Sequence, residues 1–120
     1  MKKQKAYCYL RTHRRVWGLA QKHLAALLGY QSRTAVSRIE AGKCVPSLEI
    51  AFACQVLFGV PPDAMFPHVY QDIEERAMAR IYRSYEGLLQ SSSIPALRKR
   101  ELFEAALRRA VTKPKRFEGV

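Results

Sequence analysis

The sequence predicts an all-α fold, and three observations carry that prediction. No run of alternating apolar and polar residues is long enough for a strand. Apolar residues recur instead at spacings of three and four, the period of one helix face. Gly and Pro fall between these stretches, where helices stop and start.

The elements follow in order. A first helical stretch puts Leu10, Arg14 and Trp17 on one face and ends at Gly18, with Trp17 expected in the core or in helix-end packing. A second runs from Gln21 to Leu28 with Leu24, Leu27 and Leu28 inward, and Gly29 closes it because glycine tolerates positive φ. After Tyr30 and Gln31, Ser32 is the expected N-cap of a third helix, anchored inward by Val36 and Ile39. Ala41-Gly42-Lys43 ends it. Pro46-Ser47 opens a fourth helix to Phe58, with Leu48, Ala51 and Phe58 inward and Ile50, Ala53 and Leu57 or Val56 on further faces. Gly59 and Pro61-Pro62-Asp63 lead to a helical turn near Phe66. Two longer amphipathic helices then span about 70–90, carrying Ile73, Ala77, Ile81, Tyr85, Leu88 and Leu89, and about 95–112, carrying Leu102, Phe103, Ala106, Leu107 and Ala110. Pro95 suits the first turn of the last helix, and Lys113 to Val120 is expected to fray.

Composition narrows the function. The chain has 120 residues and a net charge of +11, with 48% hydrophobic residues, which is too apolar for a disordered basic tail. A small basic domain of this kind meets a polyanion, either nucleic acid or an anionic membrane. The charge is uneven: residues 1–66 hold 10 Lys/Arg against 3 acids, and 67–120 hold 11 against 7. Lys2, Lys3 and Lys5 read as a flexible basic arm or a plain tail. Three cysteines, Cys8, Cys44 and Cys54, cannot all pair internally and argue against a secreted disulfide scaffold. No apolar run approaches the roughly 18 residues of a membrane span, and no signal-type stretch follows Met1. A cytoplasmic location is expected.

Enzyme and metal chemistry find little in the residues. The chain lacks a phosphate-cradling Gly-rich loop, and Cys8, His13, His23, Cys44 and Cys54 lack the close pairs of a structural zinc site. No cofactor, metal or catalytic residue is expected. A membrane-binding reading of helix 95–112 is disfavoured by Glu101, Glu104 and the absence of Trp.

Three short helices, the second and third joined by a tight turn, make a helix-turn-helix. Gly18-Leu19, Gln21, Leu24-Ala25, Leu28-Gly29, Val36-Ser37-Arg38-Ile39-Glu40, Gly42, Pro46-Ser47-Leu48 and Leu57-Phe58-Gly59-Val60 stand in one ordered series. Over residues 6–66 the chain resembles the Cro/C1-type (Xre-family) DNA-binding domain of phage and bacterial repressors. The resemblance implies a five-helix domain over 1–66, followed by a helical extension over 67–120. It also implies double-stranded DNA as partner and a structural ion pair between Arg14 and Glu40. Repressors that cleave themselves carry a separate catalytic domain, for which the 54 residues after Phe66 are too few.

Counting from Val36 and Ile39, the outward residues of the third helix are Arg33, Thr34, Ser37 and Arg38, the expected base readers. Arg can bridge guanine O6 and N7, and Thr34 offers a methyl for thymine. Phosphate contacts are expected from Gln21, which touches the backbone in the resembled family, and from Lys22 and Lys43. The turn is one residue longer than the commonest form, with Gln31 extra. Gln31 and Ser32 therefore stand at the helix entry as phosphate contacts or in the place given to Arg33.

The last two helices are expected to dimerise through Ile81, Tyr85, Leu88, Phe103 and Leu107, since operators of the resembled family are paired half-sites. The function expected is a repressor binding a pseudo-palindromic site as a homodimer. The alternative is an antitoxin-type autoregulator whose C-terminal helices bind a partner protein.

Overall fold

The computed structural model describes residues 8–112. Lys2, Lys3, Lys5 and the stretch from Lys113 to Val120 lie outside the described residues. Among those described are seven helices and no strand: α1 (Leu10–Val16), α2 (Gln21–Leu28), α3 (Arg33–Glu40), α4 (Leu48–Phe58), α5 (Pro62–Met65), α6 (Pro67–Leu88) and α7 (Ile94–Thr112). The chain forms two compact units, one up to residue 70 and one from residue 71.

Local chemistry sets the helix boundaries of the first unit. Gly29 ends α2 at φ 91° and Gly59 ends α4 at φ 75°, left-handed positions that a side chain would strain. Ser32 caps α3 by accepting from the Thr34 N–H at 3.4 Å, and Ser47 caps α4 by accepting from the Ile50 N–H at 3.2 Å.

The core of this unit is one cluster drawn from five helices and the residue after them. Leu10, Leu24, Val36, Cys54 and Met65 are fully enclosed, with Ile39 and Phe66 beside them. The Tyr9 N–H donates to the Met65 carbonyl at 2.8 Å and ties the start of α1 to the end of α5. Val36 and Ile39 therefore hold α3 from beneath, leaving its other side to solvent.

In this unit three side chains depart from the expected placement. Leu48 is 69% exposed, whereas Ile50 and Cys54 are buried. Leu48 is the first residue of α4 after the Ser47 cap, and Ile50, Ala51 and Cys54 face the core. Apolar residues all round α4 hid that phase from the sequence pattern. Trp17 is also 69% exposed, at the C-cap of α1, and Leu27 is half-exposed. Together with Leu19, Leu57 and Phe58 they line an open apolar cleft rather than core.

The second unit is built differently. Ser93 accepts from the Ala96 N–H at 3.3 Å at the start of α7, and the Tyr85 hydroxyl donates to Glu104 Oε2 at 3.1 Å, joining α6 to α7. That bond, above all, raises the Tyr85 hydroxyl from its ordinary value. Ala96 is the one buried residue among those described from 71 on. Ile81, Tyr85, Leu88, Phe103 and Leu107 are half-buried, whereas Ile73, Leu89 and Leu102, expected on the inward stripes, are exposed, because two helices share only one seam.

Candidate nucleic-acid interface

The outer side of α3 presents Arg33, Thr34 and Arg38 to solvent, with Ser37 half-buried between them and the core. Arg33 is the first residue of the helix and Thr34 the second, so both project from its N-terminal turn. Arg38 follows one turn after Thr34. The N-terminal turn and the next are the parts of a helix that reach base edges when it lies in a major groove. Gln31 and Ser32 are exposed just ahead of the helix, Lys22 on the first turn of α2, and Lys43 after α3. The Lys43 N–H donates to the Arg38 carbonyl at 2.9 Å, and Gly42 at φ 78° makes the turn that brings it there.

Behind this surface lies a continuous hydrogen-bond network. Arg14 Nε donates to Glu40 Oε2 at 2.6 Å and its Nη2 to Oε1 at 3.1 Å, a two-pronged ion pair between the first helix and the last residue of α3. Arg14 Nη1 donates to the Leu19 carbonyl at 2.8 Å, fixing the turn into α2 as well. Arg14 and Glu40 are both buried, which planar guanidinium geometry suits. Burial alone pushes the Glu40 carboxyl up. Hydrogen bonds from Arg14 and Gln21, the charge of Arg14 and the Arg11 bond outweigh it and hold the group below its ordinary value.

The network then runs outward to α3. Gln21 Nε2 donates to Glu40 Oε1 at 3.0 Å, and Arg33 Nη1 donates to Gln21 Oε1 at 3.0 Å. Gln21 thus links the enclosed carboxylate to the first side chain of α3. Two of these partners lie beyond what the spacing alone announces. Arg11 reaches Glu40 Oε1 at 3.5 Å from one turn before Arg14, and three-residue spacing on a short helix was the available signal. The Gln21–Arg33 bond joins residues of two helices and has no sequence pattern of its own.

Comparison with known proteins decides the family. The model of a helix-turn-helix domain family, of the Cro/C1 type, matches residues 8–67, half of the chain. The chain belongs to that family. No curated protein and no solved structure matches it. Membership makes residues 8–67 a DNA-binding helix-turn-helix domain, with α2 and α3 as its two helices and α3 in the position of the reading helix. No described helix of this family member is long and apolar enough to cross a membrane. Nor do three or more His, Cys, Asp or Glu gather as a metal site among the described residues.

Proposed function

We propose that the protein is a sequence-specific transcriptional regulator, a repressor that occludes a promoter by binding a pseudo-palindromic operator as a homodimer. One observation carries the reading: the solvent side of α3 offers Arg33, Thr34 and Arg38 in two successive turns, while Val36 and Ile39 pin the opposite side. Arg33 and Arg38 take guanine edges, Thr34 a thymine methyl or phosphate, and Ser37 a polar edge. Gln21 keeps a second amide hydrogen for a phosphate oxygen while its first holds Glu40, and Lys22, Gln31, Ser32 and Lys43 flank the groove. The bond that Arg33 donates to Gln21 restrains it before DNA arrives, which lowers the entropy lost when it docks.

The homodimer rests on the second unit. From residue 71 on, with Ala96 the one buried residue among those described, Ile81, Tyr85, Leu88, Phe103 and Leu107 stay half-covered, and a second copy would enclose them. The same face supports the other reading, in which a partner protein covers it and the first unit autoregulates. Selection of bound sequences from random duplex DNA tests the proposal. Two inverted half-sites about one helical turn apart are expected. A single unpaired half-site, with a monomer in sedimentation at micromolar concentration, would remove the dimer.

A further inference from the structure

Two free thiols, Cys8 and Cys44, line one cavity of about 30 Å³ at the end of α3, with Ile39, Gly42, Pro46 and Phe66 among its other lining residues. That is more than the roughly 10–15 Å³ that one water needs, so the space both cysteines line has room for one small molecule. Each is held from a different side. Cys8 precedes α1, is anchored by the neighbouring Tyr9–Met65 bond, and donates from Sγ to the Ile39 carbonyl at 3.8 Å. Cys44 is exposed, follows Lys43 directly, and sits two residues after the left-handed turn at Gly42. The third thiol, Cys54, is fully buried in α4 and has no open route to solvent.

We propose that Cys8 and Cys44 are an oxidation-sensitive dithiol site that a hydroperoxide converts to a disulfide, and that this bond weakens DNA binding by drawing Lys43 away from the phosphates. The second half rests on the phosphate role proposed for Lys43. Cys44 reacts first because it is exposed, whereas burial pushes the Cys8 thiol up and that of Cys54 to about 11. The Cys44 sulfur takes the terminal oxygen of the hydroperoxide, the O–O bond breaks, and an alcohol (water, from hydrogen peroxide) leaves with the thiol proton. Cys44 is then a sulfenic acid. The Cys8 sulfur attacks the Cys44 sulfur, the S–O bond breaks, and water departs with the Cys8 proton. Two thiols are oxidised to one disulfide as one hydroperoxide is reduced. A disulfide holds its two Cβ atoms about 4 Å apart, so the bond would pin the loop between Gly42 and Pro46 to Cys8 and, in this proposal, carry Lys43 with it.

The test uses the full chain and hydrogen peroxide, with disulfides mapped by mass spectrometry of unreduced peptides and affinity measured on the selected duplex. A Cys8–Cys44 bond is expected, lost in Cys44→Ser and in Cys8→Ser. Affinity should fall roughly fivefold at about 0.15 M salt, the counterion-release value of one phosphate contact, and return with dithiothreitol. In Lys43→Ala, oxidation should bring no further loss. Cys44 oxidised without a bond to Cys8, or a Cys8–Cys54 bond, overturns the dithiol site. A Cys8–Cys44 bond with unchanged affinity, or an equal loss in Lys43→Ala, overturns its coupling to DNA. Reduced protein that binds no duplex defeats the DNA reading instead, and the peptide map still decides the disulfide.

Discussion

The two units distribute apolar residues in opposite ways. In the first, eleven buried residues from five helices and the adjoining Phe66 meet in a single cluster, and the charged pair Arg14–Glu40 is enclosed at its edge. The second is made of two longer helices, of 22 and 19 residues, yet Ala96 alone is buried among the residues described from 71 on. Helix length does not make a core. Two amphipathic helices have one shared seam, whereas five short ones surround a volume. The first unit therefore stands on its own packing, and the second has apolar area still to place.

The largest expected effect breaks the first unit at its charged edge. Arg14→Ala leaves the Glu40 carboxylate buried with Gln21 and the more exposed Arg11 as its remaining partners, and should cost about 3–5 kcal/mol in urea denaturation. The pH dependence gives a second readout. The folded Glu40 carboxyl lies below its ordinary value of 4.5, so the unfolded chain binds the extra proton in acid. Stability from this group is complete above the ordinary value and is lost as pH falls through the lowered one. The wild type should weaken on acidification below about pH 4.5, and Arg14→Ala should weaken less steeply there. Equal slopes in the two proteins would show that the ion pair does not set the acid limit.

A matched pair of truncations sharpens the contrast between the units. Leu24 is fully enclosed and Leu107 half-buried. Leu24→Ala should cost about 2–5 kcal/mol at any protein concentration, as cavity formation does. Leu107→Ala should cost about 1 kcal/mol or less in dilute protein. If a second copy covers α6 and α7, its cost should grow with concentration, because the stability of a dimer depends on it. Denaturation at two concentrations a hundredfold apart separates these cases. A concentration-independent cost for Leu107→Ala equal to that for Leu24→Ala would mean the second unit has a closed core.

Much of the first unit was legible because its signals are local. Ser32 and Ser47 as caps, Gly29 and Gly59 as stops, and Val36 with Ile39 as anchors each act within one turn of chain. The resemblance supplied the Arg14–Glu40 pairing, which no local rule contains. The phase of α4 was not legible: a helix apolar on every side gives no preferred direction, and the placement of Leu48 outside follows from tertiary packing. Trp17 misled for a related reason, since large aromatic residues are usually covered and this one lines an open cleft. Gln21 stood out in the sequence as an expected phosphate contact but not as the link between Glu40 and Arg33, because that link depends on two side chains meeting across helices.

A smaller effect concerns which arginine reads. Arg38 has none of the side-chain bonds that hold Arg33 to Gln21 at 3.0 Å, and it stands exposed one turn into α3. Arg38→Ala should cost roughly 1–3 kcal/mol on the selected operator and relax one base position per half-site. An equal loss on random duplex would make Arg38 a phosphate contact. Gln21→Ala should release Arg33 and weaken both its base position and overall affinity, a broader effect than that of Arg38→Ala.

The smallest effect sits in the loop between the reading helix and α4. Lys43 is exposed and has a backbone bond to Arg38 that keeps it next to the last turn of α3. If α3 lies in a major groove, the proposed role of Lys43 is a phosphate contact, which positions the protein and carries no sequence information. Its contribution is therefore the release of condensed counterions, which is the same for every sequence. Lys43→Ala should weaken operator and random duplex by one factor. It should also flatten the plot of log affinity against log salt by about 0.9, the slope of one phosphate contact on duplex DNA. Titration at four or more salt concentrations measures that slope. An unchanged slope with weakened binding would place Lys43 outside the phosphate footprint and assign the loss to the loop's effect on Arg38.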